Sequence, residues 1–289
     1  MTIVEKLRAL LLDFLSPVMR EPHPNPLLGK EREKDVPHPG PLLGKEREQG
    51  GVPGAGPLTT GIVTFIIGAL VTGYLFVTNA EGKQKEIYWF VNTGLCLWPG
   101  LMAMLFVLRH EPADYGLQRG DARYGLRLSL ALWLGMLVVA GIASTLPSFR
   151  NYYVHNMLGA WLNGVGPVYD GISVHIPALV YYELAMGFYM FCWEFFFRGF
   201  LLFGFAKTRL GPLGAVILQS IPFVLLHWSY NAGASKPSPE VLGSAIAGPI
   251  LGILALRTRS FIYGFLCHWA VSLTFDLMIL APFIIRHSG

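Results

Sequence analysis

Charged side chains are scarce in this sequence: Asp, Glu, Lys and Arg make up 14% of its 289 residues, while 53% are hydrophobic. Soluble globular domains carry about 25% charged residues, so this composition excludes an ordinary soluble domain. The net charge of +4 is also unevenly spread, because residues 1–57 hold 8 of the 22 Lys and Arg. We interpret this charge as facing a membrane surface, and no nucleic acid partner is expected.

Cysteine is equally rare, and the three that occur, Cys96, Cys192 and Cys267, all fall within apolar runs. Isolated cysteines in such surroundings behave as small core residues. Neither a disulfide framework nor a thiolate metal site is therefore expected. The first twenty residues also lack a long apolar stretch followed by a small-residue cleavage site, so no cleavable signal peptide is predicted.

Two segments precede the apolar part of the chain. Leucines at helical spacing, with charged residues opposite them, predict that residues 1–20 form an amphipathic helix lying in the membrane interface. A proline-rich sequence at 22–33 then recurs almost unchanged at 37–48. Because its proline and charge content disfavours a packed core, we interpret residues 21–57 as a disordered, duplicated linker.

From residue 58 to 289 the pattern predicts one transmembrane helical domain. A helix crosses the hydrocarbon core with about 20 apolar residues, and backbone groups at that depth must be satisfied within the helix. Seven stretches qualify, so we expect an all-α polytopic membrane protein with spans at 58–79, 87–108, 125–146, 177–206, 211–228, 239–256 and 260–284. Lys and Arg are concentrated in alternate loops, which predicts a cytoplasmic N-terminus.

Six charged or histidine side chains in these spans are the most informative, because each costs at least ~2.5–3.5 kcal/mol to insert at bilayer depth and therefore needs a reason. They are Glu183, Glu194, Arg198, His227, His268 and Asp276. Two simple explanations are a structural ion pair between residues four apart on one helix face, as Glu194 and Arg198 are, and hydrogen-bonded core histidines. If the groups converge from three spans instead, they form a site with a base, a tuning charge and further donors.

Three sequence motifs resemble those of the CPBP family, the CAAX-prenyl-endopeptidase-like intramembrane proteases also known as the abortive-infection family. The motifs are Trp193-Glu194-Phe-Phe-Phe-Arg198-Gly199, Phe223-Val-Leu-Leu-His227 and His268-Trp-Ala-Val-Ser272. They occur in the family's order and spacing, and the resemblance covers about residues 110–285. It implies an all-helical intramembrane protease that acts on a membrane-anchored protein or peptide.

The resemblance also implies roles for single residues. A glutamate and His227 would activate a water that attacks the scissile carbonyl, and His268 would donate to the oxyanion. Ser272 would replace the family's Asn-type donor, which a hydroxyl can do chemically. Independently of the resemblance, the positive charge of Arg198 four residues away is expected to tune the Glu194 carboxylate.

One departure from the family pattern concerns its first motif. That motif usually opens with two glutamates, and the first, to which catalysis is usually assigned, is Trp193 here. Adjacent helix positions differ by about 100°, so Glu194 replaces the missing carboxylate only if the span rotates or kinks. Either Glu194 is the working base, or the protein has lost hydrolysis. We favour the first, because Arg198, His227 and His268 are retained.

A metal is not expected. Glu194, His227 and His268 are in principle a two-histidine, one-carboxylate zinc set. The chain has no His-Glu-x-x-His motif, and water activation by glutamate and histidine requires no metal or other cofactor.

Three functions stay open at this point. We favour an intramembrane endopeptidase that cleaves a membrane-tethered or lipid-modified protein in a bacterial inner membrane. Its expected partners are this protein substrate and membrane lipid. The alternative is a catalytically inactive relative that acts as an immunity or binding factor. A transporter or proton-relay protein that uses the same polar side chains is disfavoured, because we find no inverted repeat and no paired broken helices.

Overall fold

The computed structural model describes residues 3–19, 54–81, 88–156, 168, 174–229 and 238–286, and helices dominate these ranges. The predicted linker at 21–57 lies outside the described residues except for its last four positions. In chain order the α-helices are α1 (Ile3–Met19), α2 (Pro57–Glu81), α3 (Tyr88–Met102), α4 (Ala122–Thr145), α5 (Pro147–Asn156), α6 (Ile176–Glu194), α7 (Leu202–Ala206), α8 (Gly211–Ser229), α9 (Ser238–Thr258) and α10 (Ile262–Arg286). A π-helical turn, Ala103–Val107, extends α3, a 3-10 turn covers Pro112–Tyr115, and a π segment, Phe195–Leu201, joins α6 to α7.

Within the described ranges, seven helices are long and apolar enough to cross a membrane. This confirms the predicted all-α polytopic fold and the number of spans. The third span begins at Ala122, before the predicted position 125, because Asp121 caps the helix: its carboxylate accepts the Tyr124 backbone N–H at 3.1 Å. Helix α5 was not predicted from the sequence. It is short and polar and begins at a proline, a residue suited to the first helical turn.

The fourth span forms the centre of the bundle. It runs without a break from Ile176 to Ala206 through the π segment, and 78% of its most apolar window is buried inside the protein. The π segment carries four buried phenylalanines, Phe195, Phe196, Phe197 and Phe200. These side chains therefore pack against neighbouring helices and do not face lipid.

The basic loops between spans meet at one end of the bundle. The Asp121 N–H donates to the Thr258 carbonyl at 3.0 Å, and the Phe261 N–H donates to the Gly116 carbonyl at 3.3 Å. The Lys207 ammonium lies 5.5 Å from the centre of the Tyr115 ring, and burial lowers the pKa of this lysine. Loops that are far apart in sequence thus form one interlocked surface.

The amphipathic helix α1 is attached to the same end. Its Asp13 carboxylate lies 3.4 Å from the Arg257 guanidinium at the end of α9. Arg257 also lies 3.8 Å from Asp121 and 4.4 Å from the Tyr124 ring centre. One arginine therefore joins α1, α4 and α9.

Substitution of Gly120 tests this interlocked surface. Its φ is +50°, and a Cβ at this position would lie 1.8 Å from the Thr258 carbonyl oxygen. Left-handed backbone alone costs a residue with a Cβ about 1–2 kcal/mol, and no side-chain rotation relieves a clash between backbone atoms. We expect Gly120→Ala to lower the unfolding temperature in detergent, measured by the reaction of the three buried cysteines with a thiol-reactive dye.

The matched control is Gly141→Ala, at a helical position where a Cβ meets nothing within 4 Å. Alanine favours a helix over glycine by about 1 kcal/mol, so this variant should be no less stable than the wild type. An equal loss in both variants would contradict the assignment of Gly120 as a close backbone contact.

Candidate functional site

Glu194 is the last residue of α6 and points toward α10. Its side chain is fully buried, and α10 has a glycine, Gly264, at the closest approach. A Cβ on Gly264 would lie 3.4 Å from Glu194 Oε2. Gly264 thus places the α10 backbone beside the buried carboxylate.

Arg198 neutralises this carboxylate from the same helical face. Its Nη1 donates to Glu194 Oε1 at 2.8 Å, and neither side chain is exposed. The guanidinium carbon lies 3.9 Å from the centre of the Phe223 ring in α8, a cation–π contact. Arg198 Nε and Nη2 and Glu194 Oε2 have no hydrogen-bond partner among the described residues. The pair therefore retains donors and an acceptor for a further polar group.

His268 of α10 completes this contact. Its Nδ1 lies 2.7 Å from Glu194 Oε1, and its side chain is 20% exposed, whereas that of Glu194 is not exposed at all. Because an ionised carboxylate only accepts hydrogen bonds, Nδ1–H must be the donor. In the neutral ring, Nε2 then carries the lone pair.

His227 lies at the C-terminal end of α8 in a different environment. Its Nδ1 lies 2.8 Å from the Phe223 carbonyl oxygen, one turn earlier in the helix, so Nδ1–H donates there as well. Its ring packs 4.5 Å from the Phe223 ring and 5.9 Å from the Trp193 ring, measured between centroids. Within the described part of the chain, no hydrogen bond joins Glu194 to His227.

Trp193 and Glu194 face different helices although they are adjacent in sequence. Trp193 is 4% exposed, and its ring contacts Phe223 and His227 of α8, whereas Glu194 contacts His268 of α10. This follows from the ~100° between successive α-helical positions. The π segment begins directly after Glu194, and its wider turn shifts the following side chains relative to a continuous α-helix.

The structure therefore joins three of the five predicted site residues directly and places the fourth beside them. Glu194, Arg198 and His268 are hydrogen-bonded, and His227 approaches them through Phe223, whose ring centre lies 6.2 Å from that of His268. Ser272 is half-buried one turn after His268, and no hydrogen bond joins it to these residues where the chain is described. Among the described residues there is also no group of three or more His, Cys, Asp and Glu side chains arranged to hold a metal.

Phe223 is the site residue whose role the sequence analysis did not predict. It supplies a carbonyl to His227 and a ring face to Arg198, so it bridges the two polar groups. The available signal was its position four residues before His227, which places both on one face of α8. Phenylalanine is common in apolar spans, so spacing alone could not distinguish Phe223 from an ordinary packing residue.

Fold and site together describe a polytopic membrane protein in which buried polar side chains converge from three spans. A family model described as "Type II CAAX prenyl endopeptidase Rce1-like" matches residues 175–274. That range runs from the start of α6 into α10 and includes all three motifs, so the resemblance indicated by the motifs is confirmed. The match supports a CAAX-type intramembrane protease in general. No curated protein and no solved structure matches the chain.

A double-mutant cycle tests the buried ion pair. Arg198→Leu leaves the Glu194 carboxylate with only His268, and Glu194→Leu leaves a buried guanidinium with no anion. Removing one partner of a buried pair typically costs about 3–5 kcal/mol. We expect each single variant to lose stability in the thiol-dye assay, and the double variant to lose clearly less than the sum. Strictly additive losses would show that the two side chains do not stabilise each other.

Proposed function

We propose that this protein is an intramembrane endopeptidase that hydrolyses a peptide bond of a membrane-tethered or lipid-modified protein. The observation that carries the proposal is the hydrogen bond between the buried Glu194 carboxylate and the half-buried His268 imidazole at 2.7 Å. A carboxylate that accepts Nδ1–H fixes the ring orientation and leaves Nε2 available for proton transfer, as in carboxylate–histidine pairs of other hydrolases. Maintaining this arrangement within lipid is costly, which favours a catalytic role.

The two histidines have different chemical roles in this proposal. The His227 Nδ1–H is bonded to a neutral carbonyl, so Nε2 is a lone-pair acceptor suited to take a proton from water. In the imidazolium form of His268, Nδ1–H donates to Glu194 and Nε2–H donates to the oxyanion. The Ser272 hydroxyl would be a second donor to the oxyanion. Arg198 pairs with Glu194 through its Nη1 donor.

The reaction balances with these groups. The water oxygen bonds to the scissile carbonyl carbon while its proton moves to His227 Nε2. The tetrahedral intermediate then collapses, the C–N bond breaks, and the proton on His227 passes to the leaving amine nitrogen. The products are a carboxylic acid and an amine, and the proposed steps use no metal or other cofactor.

Trp193 supports a second candidate, a catalytically inactive relative that binds membrane peptides as an immunity or binding factor. Its ring contacts His227 at 5.9 Å, in the position where the family pattern has the first glutamate. Where the family pattern would place a carboxylate beside His227, this chain therefore has the indole of Trp193. In this candidate the Glu194–Arg198–His268 cluster is retained as a packing device.

We also propose how the protein is placed in the membrane. The basic loops that meet at one end of the bundle would lie in the cytoplasm of a bacterial cell, with the N-terminus on the same side of the inner membrane. Helix α1 would lie in the interface there, with its exposed leucines Leu10, Leu11 and Leu12 facing lipid. The linker at 21–57 and the helical domain from 58 to 289 complete the proposed organisation.

The test uses the full-length protein in lipid vesicles and a fluorogenic, farnesylated peptide with a CAAX-type C-terminus. We expect His227→Ala, His268→Ala and Glu194→Gln each to lower kcat by about 10²- to 10⁴-fold, the usual range for positioned acid–base groups. Peptide cleavage followed by mass spectrometry locates the broken bond. Cleavage that persists in both Glu194→Gln and His227→Ala would contradict the proposed mechanism.

Trp193→Glu separates the two candidates. If the wild type is inactive and this variant cleaves the peptide, the second candidate is favoured, because only the missing carboxylate prevents hydrolysis. If the wild type is active, the variant shows whether a second carboxylate next to His227 increases its rate. Trp193→Gln, which introduces a polar side chain without a charge, is the matched control.

A further inference from the structure

A second pair of buried acids lies in the two helices that hold the proposed catalytic contact. Glu183 of α6 is 8% exposed, and Asp276 of α10 is 1% exposed. Glu183 precedes Glu194 by eleven residues, and Asp276 follows His268 by eight, which correspond to about 16 Å and 12 Å along the two helices. Because α6 runs toward the basic loops and α10 away from them, both displacements point to the opposite end of the bundle.

The two carboxyl groups face each other. Glu183 lies within hydrogen-bonding range of Asp276 if one of them carries a proton. As ionised groups, both Glu183 oxygens and Asp276 Oδ2 have no hydrogen-bond partner among the described residues. The indole of Trp269 also lies beside Glu183, although its Nε1–H falls short of hydrogen-bond geometry.

The described residues around this pair include no positive charge that is paired with it. A third carboxylate, Glu240 of α9, lies near Asp276 and accepts the Tyr153 hydroxyl of α5 at 2.7 Å. From α4, Trp133 donates to Thr274, two residues before Asp276, and both groups are neutral. Within the described ranges, no Lys, Arg or His forms an ion pair with Glu183 or Asp276.

Two ionised carboxylates in this position are physically unfavourable. Each has lost its hydration, and the two charges repel in a medium of low dielectric constant. A single proton removes one charge and creates a donor, so repulsion is replaced by a hydrogen bond between carboxyl and carboxylate. Adjacent carboxylates that share a site hold a proton in this way.

We propose that Glu183 and Asp276 hold one proton between them, and that this proton joins α6 to α10 beyond the Glu194–His268 contact. The shared proton stabilises the packing of α6 on α10, which is close because Trp269 lies against Gly187. A Cβ on Gly187 would be 2.8 Å from the indole ring. The pair is a pH-sensitive contact between the helices that supply the proposed site. This inference does not depend on catalysis.

The direction of the pH effect follows from the protonated state. A group that keeps its proton in the folded protein contributes stability at low pH, and that contribution is lost as the pH rises and the proton leaves. We therefore expect the unfolding temperature of the wild type to fall as the pH rises above about 5, because an unfolded carboxyl has lost its proton there while the folded pair keeps one. The readout is the fraction of full-length protein that stays monodisperse on size exclusion after heating in detergent, which involves no thiol chemistry.

Glu183→Gln and Asp276→Asn are the diagnostic variants. An amide donates a hydrogen bond to the remaining carboxylate and does not ionise, so each variant should lose the pH slope. At about pH 9 each should unfold about 5 °C or more above the wild type, since a few kcal/mol correspond to such shifts in a protein of this size. Glu240→Gln removes the same charge from the neighbouring carboxylate and should keep the wild-type slope.

Three results would overturn the proposal. The first is a wild type whose unfolding temperature does not fall as the pH rises. The second concerns the two amide variants. A fall of equal size in both would show that other groups cause the pH dependence, and a failure of both to fold at every pH would show that the ionised pair is required. The third is stabilisation of the wild type by sodium or potassium chloride at about pH 9 that the amide variants lack, because a bound cation would then replace the proton. No readout uses peptide cleavage, so these outcomes are separate from those of the endopeptidase test.

Discussion

The arrangement of the site depends on one buried carboxylate, that of Glu194. A charge in the hydrocarbon region requires a partner, and this one has Arg198 on its own helix and His268 on α10. The first contact is local, but the second fixes the depth and the rotation of α10 relative to α6. Phe223 then attaches α8 by stacking on the guanidinium. Three spans thus meet at the Glu194–Arg198 pair, α10 at the carboxylate and α8 at the guanidinium.

The fold was largely predictable because each span must satisfy its own backbone and expose apolar side chains to lipid. The Glu194–Arg198 pair was also predictable, because a spacing of four residues places both side chains on one face of a helix. Which histidine contacts Glu194 was not predictable, because it depends on the rotation of α8 and α10. The structure brings both histidine rings to Phe223. Short helix α5 lacked a strong periodic signal.

Trp193 shows why motif position and geometry must be considered together. In sequence it is adjacent to Glu194, and one residue of helical rotation could have exchanged their neighbours. In the structure Trp193 faces His227, Glu194 faces His268, and the π segment begins only after both. The two histidines therefore have different partners, a backbone carbonyl for His227 and a carboxylate for His268. That asymmetry is the physical basis for assigning them different chemical roles.

The location of Arg198 on the same helix as Glu194 has a consequence for biosynthesis. A span inserts into the bilayer as it is made, and α10 with His268 is synthesised after α6. Two opposite charges one turn apart enter the membrane as a neutral unit, so the span does not carry an unbalanced charge while it waits for the rest of the bundle. A carboxylate neutralised only by a later helix would leave the nascent chain with an uncompensated anion during translocation. The ion pair is thus as much a requirement of assembly as of the finished protein.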